Sequence, residues 1–211
     1  MENYTKYALK TAEELTALLE GKDNLFVVAC NKCFKEFNTV QEPDLDEFLK
    51  LAESLGKTVV GSAKADFLCN ETKAAKGLPG MIPENAEHVV VISCGLGVQT
   101  VAAITDAPVY TATNSINYTG HHGMALTKKA CDACAQCYLG ITGGICPVVD
   151  CSKSLLNGQC GGAKDGKCEV DPNMECGWER IYRKLEQLGR LDVMKCAVQL
   201  RNYAIDEAAT E

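Results

Sequence analysis

Cysteine thiols are the side chains whose number and spacing in this chain are best suited to chemistry. The chain has 13 cysteines, and eight of them lie between residues 131 and 176. The eight are Cys131, Cys134, Cys137, Cys146, Cys151, Cys160, Cys168 and Cys176. Two residues separate Cys131 from Cys134 and Cys134 from Cys137. A short backbone segment can therefore turn all three thiols toward one soft metal centre. Eight thiolates are also enough ligands for two four-cysteine centres, either iron–sulfur or zinc.

The spacing favours iron–sulfur clusters over zinc. Zinc sites usually use two separated Cys-x-x-Cys pairs, whereas a single run with three cysteines is typical of ferredoxins. Cys146 is followed by Pro147, as is the last cysteine of the bacterial ferredoxin run. We therefore predict two [4Fe-4S] clusters, with zinc sites that only staple a loop-rich region as the alternative. Cys131, Cys134 and Cys137 are expected in one centre. Their spacing leaves the fourth ligand open, although a cysteine far along the chain would follow ferredoxin logic.

A smaller cysteine group occurs in the first half of the chain. Cys30 and Cys33 form a Cys-x-x-Cys pair, and Cys69 and Cys94 follow. Cys30 and Cys94 each end a predicted strand, and the carboxyl ends of parallel strands meet at the edge where ligands collect. The four thiols are therefore predicted to hold a third metal centre. The alternative is that Cys69 and Cys94 are ordinary buried residues that fill small apolar spaces.

Residues 1–114 alternate between helix and strand patterns. Helices are predicted over residues 11–21, 44–56 and 95–104, and strands over residues 24–30, 57–63, 88–94 and 107–112. Strands that alternate with helices indicate an α/β domain with a small parallel sheet in three layers.

The remainder of the chain is predicted as a connector, residues 115–130, and an irregular cysteine-rich lobe with C-terminal helices, residues 131–211. The lobe is rich in Gly, Pro and Cys up to residue 176, so metal ligation is expected to supply its folding free energy. One helical turn is predicted at residues 153–156, and a helix from Trp178. A final helix is predicted to place Leu191, Met194, Val198 and Ile205 on one face.

Composition and charge exclude several classes of protein. The net charge is −7, most of the acidic excess lies in residues 1–114, and no basic stripe is present, which argues against nucleic acid as a partner. The polar N-terminal residues do not resemble a signal peptide, and the apolar runs are too short to span a bilayer. We therefore expect a soluble, cytoplasmic protein, in which clustered cysteines indicate metal or redox chemistry more often than disulfides.

No catalytic residue can be assigned from the sequence. The Gly95-Leu96-Gly97 turn lacks the third glycine of a dinucleotide-binding fingerprint, and there is no phosphate-binding loop. His121 and His122 in the connector are interpreted as solvated loop residues. Trp178 and Tyr182 are expected to pack against the cysteine-rich lobe and to shield a cluster, which would tune its potential.

Several long motifs resemble the methylenetetrahydrofolate reductase C-terminal domain. They are TGGICP at 142–147, CSKSLLNGQCGG at 151–162, GKCE at 166–169, CGW at 176–178 and the Ile181-Tyr182 pair. The resemblance runs from Cys131 to Leu191, and it extends weakly to Cys30, Cys33 and residues 94–100. Gln159 stands where the family usually has proline, a change that alters no ligand.

The resemblance implies a function and a partner. The family's domain occurs in the small iron–sulfur subunit of the two-subunit reductase of acetogenic bacteria. This chain would accordingly relay electrons, from ferredoxin or another donor, to FMN or FAD in a catalytic barrel subunit of a hetero-oligomer. That partner reduces the methylene group on folate in one-carbon metabolism of the acetyl-CoA pathway. The alternative is a zinc-binding scaffold subunit of the same complex that carries no electrons.

Overall fold

The structure of the chain is a computed structural model that describes residues 6–31, 45–117, 130–195 and 198–204. Cys33, His121, His122 and Ile205 lie outside these residues. None of the described helices is both long enough and apolar enough to cross a membrane.

A parallel four-stranded sheet forms the centre of the first half of the chain. Its strands are β2 (Leu25–Cys30), β3 (Val59–Ala65), β4 (His88–Ile92) and β5 (Val109–Thr111), in the spatial order β3-β2-β4-β5. Every residue of β2 is buried, as expected of a central parallel strand that is covered on both faces. A separate antiparallel pair joins β1 (Lys6–Leu9) to β6 (Thr113–Asn117).

Helices cover both faces of the parallel sheet and complete three layers. On one face, Leu15 of α1 (Ala12–Leu18) and Phe48 of α2 (Leu45–Ser54) pack on Val27. On the other face, α3 (Glu71–Gly77) and α4 (Gly95–Ile104) flank Val28, with Val98 fully buried. The predicted α/β fold class is therefore confirmed.

The sequence signals for α1 and α4 are reproduced closely. Thr11 caps α1 in a capping box: its hydroxyl accepts from the Glu14 amide at 3.2 Å, and its own amide donates to the Glu14 carboxylate at 2.9 Å. Helix α4 has the predicted bounds, and Cys94 is its N-cap residue.

The second half has little regular structure, as predicted. A helical turn, α5 (Pro147–Asp150), and one amphipathic helix, α6 (Gly177–Gln187), are its α-helices among residues 130–195. The helical turn predicted at residues 153–156 is wrong. The turn forms instead at α5, where Pro147 occupies a first-turn position that requires no amide donor.

The predicted final helix is also wrong over the described residues. Leu191–Lys195 forms a short 3₁₀ helix, and residues 198–203 form no helix. Gly189 has a positive φ of 65°, which ends α6. Val198 is 70% exposed, so the apolar face on which the helical prediction depended does not exist here.

Candidate metal centres

Three of the cysteines predicted for the first half meet at the carboxyl edge of the parallel sheet. Cys30 is the last residue of β2, Cys94 follows β4 at the start of α4, and Cys69 precedes α3. All three are buried. Burial raises the pKa of Cys69 to about 12, and the nearby Cys94 and Cys30 thiols add to that rise. We call Cys30, Cys69 and Cys94 the sheet-edge cysteines.

A second group of four thiols lies immediately beside this edge. Cys131, Cys134 and Cys137 lie in one irregular segment, and Cys146 is the N-cap residue of α5. Burial raises the pKa of Cys131 to about 12, with smaller contributions from Cys137, Cys94 and Cys146. Burial also raises the pKa of Cys146 to about 12, and Cys137 and Cys134 contribute. We call these four residues the first cysteine set, because Cys137 and Cys146 each interact electrostatically with the other members.

The segment that carries the first cysteine set is anchored to the sheet domain by hydrogen bonds. The Cys137 amide donates to Asn114 Oδ1 at 2.9 Å, and the Ala135 amide donates to the Ser115 carbonyl at 2.8 Å. Gln99 Nε2, on α4, donates to the Ala130 carbonyl at 2.7 Å. Strand β6 and helix α4 therefore fix the backbone from which these thiols project.

Gly95 lets the first cysteine set approach the N-terminus of α4. A β-carbon at this position would lie 2.7 Å from Cys131 Sγ, closer than real β-carbons approach other atoms. A β-carbon at Gly97 would similarly lie 2.2 Å from Ser93 Oγ. The two glycines of the Gly-Leu-Gly turn are therefore explained by close packing against Cys131 and Ser93, and phosphate binding is not needed to account for them.

The remaining four cysteines line one narrow cavity of about 20 Å³. We call them the second cysteine set: Cys151, Cys160, Cys168 and Cys176. Cys176 is the N-cap residue of α6, and the other three lie in the irregular segment before it. The structure thus divides the eight cysteines into two sets of four that are consecutive in sequence. The fourth thiol of the first set is Cys146, the next cysteine along the chain. Which cysteines share each centre stays a prediction.

Polar groups surround the second cysteine set. The Ser152 hydroxyl lies 3.4 Å from Cys168 Sγ, and this hydrogen bond is the main cause of a lowered pKa at Cys168. The Gly162 amide donates to Cys160 Sγ at 3.5 Å, and that thiol also contacts Glu169, which pairs with a lysine. Cys160 is exposed, whereas Cys176 is buried, so the second set reaches solvent through Cys160.

Trp178 closes one side of the second cysteine set. It is 6% exposed, lines the cavity, and donates from Nε1 to the Leu155 carbonyl at 2.8 Å. The prediction that it packs against the lobe is confirmed. The same prediction is wrong for Tyr182, which is 45% exposed, because Ile181 and Leu185 form the buried stripe of α6.

A non-helical segment, residues 198–203, lies against the two segments that carry the cysteine sets, and we call it the C-terminal strap. The Asn157 side chain makes two hydrogen bonds to the main chain of Gln199. Its Nδ2 donates to the Gln199 carbonyl at 2.9 Å, and its Oδ1 accepts from the Gln199 amide at 2.6 Å. Gln136, between Cys134 and Cys137, similarly donates to the Leu200 carbonyl at 3.3 Å and accepts from the Asn202 amide at 2.9 Å. Side-chain amides therefore satisfy the strap's backbone in place of a helix.

The thiols of the two cysteine sets are the ligand type that soft metal centres prefer, but their sulfur atoms do not converge at a preformed metal site. Within the described ranges, no three Cys, His, Asp or Glu side chains form a ready metal-binding group. Thiol ligands must lose their protons when they bind metal, so binding is coupled to local rearrangement and to folding. The grouping of the thiols is the relevant observation: each set offers four sulfur ligands from neighbouring loops.

Comparison with known families agrees with the sequence motifs. Residues 110–204 match the family described as methylene-tetrahydrofolate reductase C terminal. This part of the chain is similar to that family. The match covers β6, both cysteine sets and the whole C-terminal strap, which together with the residues between them are just under half of the chain. No curated protein matches the chain, and no solved structure matches it.

The residues that anchor the cysteines had little signal in the sequence. Asn114, Ser115 and Gln99 are single polar residues with no motif of their own, and their role depends on the pairing of β6 and on the packing of α4. Gly95 was visible as part of a turn, but its contact with Cys131 joins residues far apart in sequence.

Proposed function

We propose that this chain is an iron–sulfur electron-transfer component that works with a flavin-bearing methylenetetrahydrofolate reductase subunit. The observation that carries the proposal is the division of eight cysteines into two sets of four, next to each other, within the segment that matches the reductase C-terminal family. Four thiolates each are the ligands of a [4Fe-4S] cluster. When bound, such clusters accept and release single electrons.

The two sets differ in ways that suit a relay. The four thiols of the first set are half-buried and lie against the sheet domain, and the second set has an exposed cysteine, Cys160. They are joined by α5, whose four residues extend only about 6 Å at the usual helical rise. An outer position can exchange electrons with a soluble donor, and an inner, shielded position can pass them on. The sheet-edge cysteines lie beside the first set, and we propose that with Cys33 they hold a third centre.

A zinc scaffold is the second candidate, and the size of the second cavity favours it. A space of about 20 Å³ is close to the room that one water molecule needs, so a single tetrahedral ion would enter with less rearrangement than a cubane. In that case the second set would stabilise the loops around Trp178 without carrying electrons.

Metal and sulfide analysis of anaerobically purified protein tests the proposal. We expect iron and acid-labile sulfide sufficient for at least two cubanes, with visible thiolate-to-iron absorbance. Cys134→Ala should remove roughly half of the iron bound by the two sets, because ligation and folding are coupled. Cys196→Ala is the matched control, because Cys196 belongs to none of the proposed centres, and it should retain all of the iron.

The results that would contradict the proposal are equally specific. A colourless protein with zinc and no sulfide would favour the scaffold. Full iron occupancy in Cys134→Ala would remove Cys134 from the ligands.

The role in electron transfer is tested with the flavin-bearing subunit. Reduced ferredoxin or viologen should bleach the partner's flavin faster when this chain is present, and this chain alone should neither bind nor reduce methylenetetrahydrofolate. Equal bleaching rates with and without the chain would refute the relay.

A further inference from the structure

A buried cation lies close to the first cysteine set. Lys10 directly follows β1 and is only 8% exposed. Its ammonium donates to Glu14 Oε1 at 3.0 Å and to Asn114 Oδ1 at 2.7 Å. Lysine is rarely buried unless it is paired, so its position here requires an explanation beyond surface solvation.

Asn114 connects this cation to the cysteines. The same oxygen, Asn114 Oδ1, accepts the backbone amide of Cys137 at 2.9 Å. The Lys10 ammonium is therefore within two hydrogen bonds of the Cys137 main chain. The Lys10 charge therefore lies close to the main chain that carries the Cys137 thiol.

The carboxylate partner cancels this charge at the cysteines only in part. The Glu14 side chain is 36% exposed, whereas that of Lys10 is 7% exposed. Water screens an exposed charge more strongly than a buried one. Asn114 Nδ2 also holds Glu14, at 3.2 Å, so the pair is fixed with its cation on the buried side.

We propose that Lys10 is a positioning residue that raises the reduction potential of the cluster held by Cys131, Cys134, Cys137 and Cys146. This inference rests on the proposed function. An added electron makes a thiolate-bound cluster more negative, so a nearby buried positive charge stabilises the reduced state relative to the oxidised state. At an effective dielectric constant of about 20, a unit charge on the order of 10 Å away changes the equilibrium constant for reduction of the cluster by roughly tenfold.

The test is a reductive titration followed by electron paramagnetic resonance, with dithionite as the one-electron source. The signal of the first set is assigned by its loss in Cys134→Ala. Lys10→Met should lower the equilibrium constant for reduction of that cluster roughly tenfold. For a one-electron couple this is a negative shift of about 59 mV in its reduction potential. Glu14→Gln should shift the potential in the positive direction, because it removes the opposing charge. Lys10→Arg should stay near wild type.

Lys50→Met is the matched control, because Lys50 is exposed on α2 and its charge is screened by solvent. It should leave the potential unchanged. A loss of packing alone would lower iron content, but it would not shift the potential in opposite directions for Lys10→Met and Glu14→Gln.

An unchanged potential in Lys10→Met with full iron would overturn the inference. If Lys10→Met does not fold, Glu14→Gln decides, and an unchanged potential in that variant overturns the inference. Wild-type protein without iron and sulfide would instead refute the proposed function itself, so the two failures are distinguishable.

Discussion

Gly95→Ala is expected to destabilise the protein and to disturb the first cysteine set. The added β-carbon would lie 2.7 Å from Cys131 Sγ, 3.4 Å from Cys131 Cβ and 3.7 Å from Leu139 Cδ1. Favourable separations of non-bonded heavy atoms are about 3.5–4.0 Å, so the sulfur must move by roughly 1 Å. Overpacking of this kind typically costs about 1–3 kcal/mol. Alanine regains up to about 1 kcal/mol of helix propensity, and with that gain in full the net loss is roughly 0–2 kcal/mol.

The assay is urea unfolding followed by circular dichroism, together with iron analysis of the same preparations. Gly77→Ala is the matched control, because Gly77 is also helical and a β-carbon there meets nothing within 4 Å. That variant should be as stable as wild type or slightly more stable. If Gly95→Ala matches wild type in both stability and iron content, Cys131 does not approach the start of α4 as described here.

Two further predictions concern the C-terminal strap and the N-terminus of α1. Asn157→Ala removes both hydrogen bonds to Gln199, at about 1 kcal/mol each. It should speed amide exchange in residues 198–203, whereas Asn173→Ala, at an exposed position, should not. Although burial acts to raise the pKa of Glu14, hydrogen bonds from the Thr11 backbone and the neighbouring ammonium hold it below its usual 4.5. Its contribution to stability is thus present at neutral pH and is lost as the pH falls below that value. Glu14→Gln should be less stable than wild type at pH 7, and the difference should shrink in acid; a constant difference would contradict this.

Local patterns predicted much of the fold. The capping box at Thr11 and the turn before α4 define helices through contacts within a few residues. The antiparallel pair β1–β6 was not predicted, because both strands are short and their partners are distant in sequence. Helix α3 was also missed. The helix predicted through Val198 was wrong, because tertiary hydrogen bonds from Asn157 and Gln136 hold the strap in a non-helical conformation.

The candidate site was predictable in its residue types but not in its grouping. Thiol count and spacing indicated soft metal centres, and Cys131, Cys134 and Cys137 do lie together. Which fourth cysteine joins them depends on how the loop folds back, and this information is absent from spacing alone. The burial of Lys10 was missed for a related reason. A single lysine in a sequence is usually predicted to lie on the surface, and only the fold shows that Glu14 and Asn114 bind its ammonium.

The pairing of β1 with β6 has a consequence for the order in which the chain folds. The register places Lys6 opposite Asn117, so this pair closes a long loop, and contacts between distant segments form slowly. The parallel sheet can assemble earlier, from strands that follow one another more closely. Asn114 belongs to β6, so Lys10 and Asn114 come together around Cys137 at a late step. During synthesis, the thiol of Cys137 is therefore among the last to gain its surroundings, and until that closure it is the more accessible to oxidants.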